Sequence, residues 1–254
     1  MKISENREFF YGILIGLAAL YLSLSLEDFK LKDLINIPAA LIVFGGSLGA
    51  VLIESNLSKL FKKRGSVLNV IFCHSSGKYL TPIVERIVLW SETSRSSGIL
   101  ALEKHIDSVD HPLMRSALIK MVDGQNKGEL QALIADYYRE ECSYIKETES
   151  FFHSLGGYSP TFGILGAVMG LIHVLKNMAE PSLLGSGIAV AFVATAYGVF
   201  AANMIFIPLS VRVRHQYEQL REEVELVEKG LMMVLDGVNP KLIESSLKHS
   251  YETV

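Results

Sequence analysis

Four stretches of this chain contain no Asp, Glu, Lys or Arg: Phe9 to Leu26, Leu34 to Ile53, Ser150 to Leu175, and Pro181 to Val211. A water-soluble protein of 254 residues with 20% charged residues would scatter them over its surface; here they are segregated. The chain also lacks a phosphate-binding loop, a dinucleotide glycine fingerprint, a nucleophile elbow, and Cys or His pairs at zinc spacing. That excludes the common enzyme classes, and the expectation is a protein that is not an enzyme and carries no cofactor. Cys73 and His74 are adjacent, which does not aim their side chains at each other. With only two cysteines, Cys73 and Cys142, no disulfide scaffold is available. A net charge of −3 gives no electrostatic case for nucleic acid. Alternation of the kind a strand requires is missing over any useful length.

What is present follows from those charge-free runs. A helix needs about 20 apolar residues to cross the hydrocarbon core, within a usable range of about 17–25. All four runs reach it. Lys2 and Arg7 before the first run also fit a signal peptide, but Glu27 and Asp28 followed by a second long run point to a helical hairpin. The expected fold is an all-α integral membrane protein with four transmembrane helices. It divides into a cytoplasmic segment 1–8, spans 9–26 and 34–53, a helical cytoplasmic insert 54–156, spans 157–178 and 186–211, and a helical tail 212–254. Lys59, Lys62, Lys63 and Arg64 follow the second run, and Arg212, Arg214 and Arg221 the fourth, whereas the hairpin tips carry few, diluted cations. The positive-inside rule therefore puts both termini, the insert, Cys73 and Cys142 in the reducing cytoplasm.

Within the insert, Leu80, Ile83, Val84, Ile87 and Val88 recur at helical spacing, and Ser91 to Gly98 reads as a break. A second amphipathic stretch follows His111-Pro112 and stops at Asp123-Gly124. A third, from Glu129 to Phe152, feeds directly into the third span, and the tail leaves the fourth span in the same way. Gly12/Gly16, Gly45/Gly49 and Gly166/Gly170 have the small-xxx-small spacing that lets helix backbones touch in lipid.

Ion-coupled transporters place an ionisable group in the bilayer, and none of the four spans contains an Asp, Glu, Lys or Arg. His173 is either a satisfied interfacial histidine or a relay. The chain alone is a poor pump, so it is either structural or half of an ion pathway whose carboxylate comes from elsewhere. Pro160 reads as a helix-start proline behind Gly156-Gly157. Pro208 removes a donor and crowds the carbonyl of Met204, which implies a kink or hinge. The Thr195 hydroxyl, near mid-membrane, bonds its own helix backbone or faces a polar path.

Three blocks carry a resemblance: Ser159 to His173 (SPTFGILGAVMGLIH), Ala194 to Gly198 (ATAYG) with Ile207-Pro208-Leu209, and Ser94 to Glu103 (SRSSGILALE), followed by Asp236 to Glu244 in the tail. Together they resemble the MotA/PomA family of flagellar stator subunits over nearly the whole chain. The resemblance implies a homo-oligomeric ring, a pentamer, in the bacterial inner membrane around a dimer of a MotB-like, single-span, peptidoglycan-binding partner. That partner would supply the ion-binding aspartate missing here. It further implies Thr195 as a channel-lining hydroxyl, Pro160 and Pro208 as conformational coupling residues, and Arg95 and Glu103 as charges facing the rotor switch protein. Ala167 stands where sodium-driven members often hold a threonine, so the expected transported ion is the proton. The alternatives are a sodium-driven PomA-type stator and an ExbB/TolQ-like energiser. The latter family typically has three spans and places its large loop after the first.

Overall fold

The computed structural model describes residues 4–26, 34–55 and 80–252, so the expectations resting on Cys73, Lys30 and the basic cluster at 59–64 lie outside the described residues. Described residues are helical or in short connections, without strands. Helix α1 is Ser4–Leu26. Helix α2 is Ile37–Glu54, with a π-helical turn at Leu41–Gly45. Next come α3, Leu80–Ser97, a 3₁₀ segment Ile99–Ser108, and α4, Pro112–Val122. Helix α5, Lys127–Lys176, is unbroken over 50 residues. Helix α6, Pro181–Phe200, passes through a π-helical segment Ala201–Phe206 into α7, Ile207–Leu235, and α8 is Pro240–Glu252.

The chain divides into two compact units. One comprises Met1–His74 and Lys146–Arg214, the other Ser75–Ile145 and His215–Val254. The first unit holds the apolar helices. Ile37–Glu54, Lys127–Lys176 and Leu184–Leu235 are long and apolar enough to cross a membrane, and α1 contributes a shorter apolar stretch, Tyr11–Ser23. Among its described residues, one buried cluster comprises Ala39, Val43, Val193 and Ala194, with Val190 and Tyr197 against them. Large apolar side chains such as Leu14, Ile15, Leu41, Ile164, Met169, Leu171 and Phe192 point outward. Burying small residues while exposing large ones suits a lipid solvent, in which outward leucines cost nothing and close backbone approach is the source of cohesion.

The second unit has the opposite arrangement. Trp90, Ile87, Leu102, Leu113, Leu118, Leu130, Ile134, Leu231, Ile243 and Leu247 are buried together. Each reaches the core because its helix carries apolar residues on one face. The Ser91–Gly98 stretch does not break α3 as its composition suggests. Its hydroxyls are satisfied without unwinding: Ser91 donates to the Val238 carbonyl (3.2 Å), Thr93 to Leu89 (2.9 Å) and Ser96 to Thr93 (3.2 Å). The helix ends only at Gly98, whose φ of 82° belongs to the left-handed region. Helix α4 starts at His111-Pro112 and stops at Asp123-Gly124, as the sequence signals indicate. The His111 ring caps α4 by accepting from the Met114 amide at Nδ1, and its Nε2 meets Glu223 of α7 at 2.5 Å. With Nδ1 accepting, Nε2 is the nitrogen that donates, so the ring's tautomer follows from the cap.

Leu231 is fully buried in the same cluster as Trp90, the only tryptophan of the chain. Leu231→Ala removes its methyl groups and leaves a cavity, an expected loss of ~2–5 kcal/mol. The measurement is the denaturant midpoint of Trp90 fluorescence in the detergent-solubilised chain, which should fall well below that of the wild type.

Candidate functional site

Pro160, Gly166, Gly170 and Thr195, named from sequence, meet along one seam, the line of contact between α5 and α6. On α5, Ser159, Gly163, Gly166 and Gly170 follow one another at intervals of four, three and four; on α6, Gly187, Ala191, Ala194 and Gly198 repeat the same intervals. Steps of three and four residues keep a stripe on one face of a helix. A methyl group at Gly163 would stand 2.9 Å from the Ala194 carbonyl oxygen and 3.3 Å from the Thr195 Cα. One at Gly166 would lie 2.6 Å from the Ala194 Cβ, and one at Gly170 2.7 Å from the Gly187 carbonyl oxygen. At Gly198 it would overlap the Ser159 carbonyl oxygen and stand 3.1 Å from the Pro160 Cα. The two helices touch backbone to backbone, and the pairs order them antiparallel.

The glycine expectations divide. Gly166 and Gly170 make the close approach. Gly16 faces only the flexible end of Met204, while Gly12, Gly45 and Gly49 meet nothing within 4 Å. In the first hairpin the closely packed glycine is Gly46, which lies under the Phe162 ring.

Thr195 is half-buried on this seam, and its hydroxyl donates to the Ala191 carbonyl one turn back at 3.1 Å. The Gly163 carbonyl of α5 is 3.5 Å away. Of the two readings of Thr195, the bond to its own helix is the one present, with the hydroxyl held at the contact between α5 and α6. Ala167 follows Gly166, which packs on Ala194, so Ala167 and Thr195 lie at similar depth.

Pro160 is not at a helix start. It lies inside α5, whose first turn is at Lys127. Around it, buried Ser159 donates to the Leu155 carbonyl (2.7 Å) and Thr161 to that of Tyr158 (2.7 Å), local back-bonds of the kind that bend a helix without ending it. Pro208, two residues into α7, follows the π-helical segment Ala201–Phe206, where the Ile207 amide bonds the Ala202 carbonyl. The wider turn accommodates the proline without ending the helix. The two prolines are not opposed: Pro160 lies against Gly198, whereas Ile207, beside Pro208, lies against Gly156. His173 is exposed near the end of α5 and accompanied by Asn177, whose amide donates to the His173 carbonyl (2.9 Å).

Sequence reading missed Tyr197. Its hydroxyl donates to the Leu34 carbonyl and accepts from the Asn36 amide (3.2 Å), and its ring is tilted against Phe44 at 6.1 Å. Nothing in the local pattern marks it, because its partners are 161 and 163 positions away.

In the second unit Arg95 is exposed in the last turn of α3, its Nη1 donating to the Gly237 carbonyl at 3.3 Å. Glu103 is exposed on the 3₁₀ segment, next to buried Leu102. No cluster of metal-binding side chains occurs among the described residues. Tyr138 donates to the Tyr217 hydroxyl (3.3 Å), and that bond, with burial beside Cys142, holds its proton well above the ordinary phenol range.

Residues 105–226 match the model of the MotA/TolQ/ExbB proton channel family. Motility protein A of Bacillus subtilis is 31% identical over 240 residues, covering 93% of this chain and 87% of that one. Motility protein A of Treponema pallidum is 28% identical, covering 94% and 91%. Chemotaxis protein PomA of Vibrio alginolyticus is 25% identical, also over 94% of this chain and 92% of that one. In fold, the chain is similar to a chain of the Bacillus subtilis flagellar MotAB stator complex (TM-score 0.82, 29% identity, 94% and 93% covered). It is also similar to a chain of Campylobacter jejuni MotAB (TM-score 0.86, 22% identity, 96% and 94% covered).

The seam gives a direct test. Gly198→Ala places a methyl group on the Ser159 backbone, which cannot move aside as a side chain can, so the helices must part. Gly45→Ala meets nothing within 4 Å. Swimming should be lost in the first variant and kept in the second, at equal membrane levels of both.

Proposed function

The chain belongs to the MotA/TolQ/ExbB proton channel family, and from that premise we propose how it serves as the ion-channel subunit of a flagellar stator. The observation that carries the mechanism is a seam of backbone and small side chains with no ionisable group in it. An ion that crosses beside such a surface needs a titratable group from another chain. A single-span, peptidoglycan-anchored partner of the MotB kind supplies an aspartate there, and several copies of this chain surround the partner as a ring. The chain crosses the inner membrane four times, with both termini and the second unit in the cytoplasm.

Protonation of the partner's aspartate changes the charge beside Thr195 and the Pro160–Gly198 contact. The hydroxyl of Thr195 orients the ion or its water, while Pro160 and the π-helical turn before Pro208 give the two helices their compliance. Displacement of α5 and α6 is passed to Arg95 and Glu103, which press on the rotor's switch protein. The Gly237 carbonyl holds Arg95 in place, and Glu103 is left open to solvent. An energiser of the ExbB/TolQ kind falls within the same family description. The stator reading is favoured because the motility relatives align over more than nine-tenths of the chain, first hairpin included.

The transported ion is the proton. Sodium must exchange part of its hydration shell for oxygen ligands. Thr195 offers one hydroxyl, already engaged with Ala191, and Ala167 offers none.

Charge reversal at Arg95 or Glu103 should cost most of the swimming speed while the folded chain loses no more than ~0.5 kcal/mol, as is usual for exposed substitutions. Compensating reversals on the rotor should restore swimming. Normal swimming by the double reversal contradicts the rotor assignment. For the ion, speed at fixed ionic strength should be unchanged when potassium replaces sodium and should vanish with a protonophore. Dependence on sodium with protonophore resistance contradicts it.

A further inference from the structure

We infer that Tyr197 is a positioning residue for the ion pathway: its hydroxyl fastens the non-helical start of α2 to α6 and so fixes how α6 presents Thr195. The inference rests on the ion-path reading of Thr195 given above.

Tyr197 lies 16 residues beyond Pro181, the first residue of α6, or about 24 Å along the helix at 1.5 Å per residue. The chain segment entering α2 therefore meets α6 far from its Pro181 end, three residues before Phe200, where the helix runs on into the π-helical segment. Non-helical backbone at such a place has polar groups that lipid cannot satisfy. Several of them have partners here. Pro38 has no amide hydrogen, the Ala39 amide goes to the Asn36 side chain (3.0 Å), and the Ala40 amide goes to the Asn36 carbonyl (3.0 Å). Before the helix, the Asn36 amide and the Leu34 carbonyl are both taken by the Tyr197 hydroxyl. One side chain, acting as acceptor and donor together, closes the entry to α2.

The consequence for α6 follows from helix geometry. Tyr197 is two residues on from Thr195, about 200° round the axis. The phenol engages α2 through Leu34, Asn36 and Phe44, while Thr195 is at the contact with Gly163 of α5. Helix α6 is thus held from opposite sides. The α5 side is made of glycine and alanine, which permit close approach but interlock little, so rotation of α6 about its own axis is resisted mainly by the directional bonds of Tyr197. Its ring could be kept by phenylalanine; the rotational setting could not.

The experiment separates position from stability. In a chain with Cys73→Ala and Cys142→Ala, a reporter cysteine is placed at Thr195 or at outward-facing Ile164 of α5, with and without Tyr197→Phe. The rate of modification by a membrane-permeant maleimide is measured in cells co-expressing the partner subunit. Tyr197→Phe should change the rate at 195 by about five-fold, the population change that one lost net hydrogen bond allows, and leave the rate at 164 unaltered. Carrying Thr195 and both native cysteines, Tyr197→Phe should swim more slowly with undiminished stator complex in the membrane, and para-aminophenylalanine at 197, which keeps a donor, should recover speed. Rates that rise together at both reporters reveal general loosening and overturn the inference, as do unchanged rates at both. If Thr195→Ala swims normally while the reporter at 195 still shifts, the ion-path reading of Thr195 fails and the latch stands.

Discussion

Contact between the α5 and α6 backbones constrains everything else in the membrane unit. At Gly198 the neighbouring helix is so near that even one methyl group has no room beside the Ser159 carbonyl. Such proximity leaves the seam room for small side chains only, such as those of Ala194 and Thr195, and excludes a long carboxylate or ammonium group. A hairpin built this way cannot carry its own ion-binding residue on that face without separating its helices. The proposed dependence on a second chain for the titratable group would therefore be a consequence of how the hairpin is packed as well as of its composition.

That same packing decides what the sequence reveals. The charge-free runs and the absence of strand patterning identify the helices, because in lipid every backbone polar group must be satisfied within its own helix. The small-residue stripe was also there to be read, at Ser159, Gly163, Gly166 and Gly170 facing Gly187, Ala191, Ala194 and Gly198, although only Gly166 and Gly170 stand out as a spaced glycine pair. Gly45 and Gly49 have the same spacing and touch nothing, which shows how little a lone pair specifies. A spacing rule gives a face; whether another helix lies on that face is a tertiary fact.

The misread positions have a common physical cause. Pro160 looks like a helix start and Ser91–Ser97 like a break because isolated propensities disfavour both inside helices. Each nonetheless lies inside an unbroken helix, α5 or α3, where nearby hydroxyls bond back to the chain, Ser159 to Leu155 and Thr93 to Leu89. Ser91 finds its partner, the Val238 carbonyl, 147 residues away. Tyr197 is the extreme instance, since both of its bonds close contacts across more than 160 residues. Propensity sees only neighbours in sequence, and long-range satisfaction of polar groups is invisible to it.

Rigidity and compliance are then distributed unevenly along the hairpin. Between Gly163 and Gly170 the helices meet through backbone and alanine, where any sliding drives one carbonyl into another Cα. Beyond Gly156 the contacts change to large, adaptable side chains: Ile207 against Gly156, Met204 against Gly16, Phe162 against Gly46. The two π-helical turns, Leu41–Gly45 and Ala201–Phe206, fall beside these same contacts. A π turn carries one residue more than the α geometry needs, so local hydrogen bonds can be re-paired there without unwinding the helix. Pro208 lies directly after one such turn and cannot donate to restore the α ladder, which keeps that turn from relaxing into regular helix. In the proposed mechanism, motion imposed on the central seam would be taken up at its Gly156–Pro208 end, so that a substitution there would alter how the hairpin bends, whereas one at Gly163 or Gly198 would alter whether the hairpin closes at all.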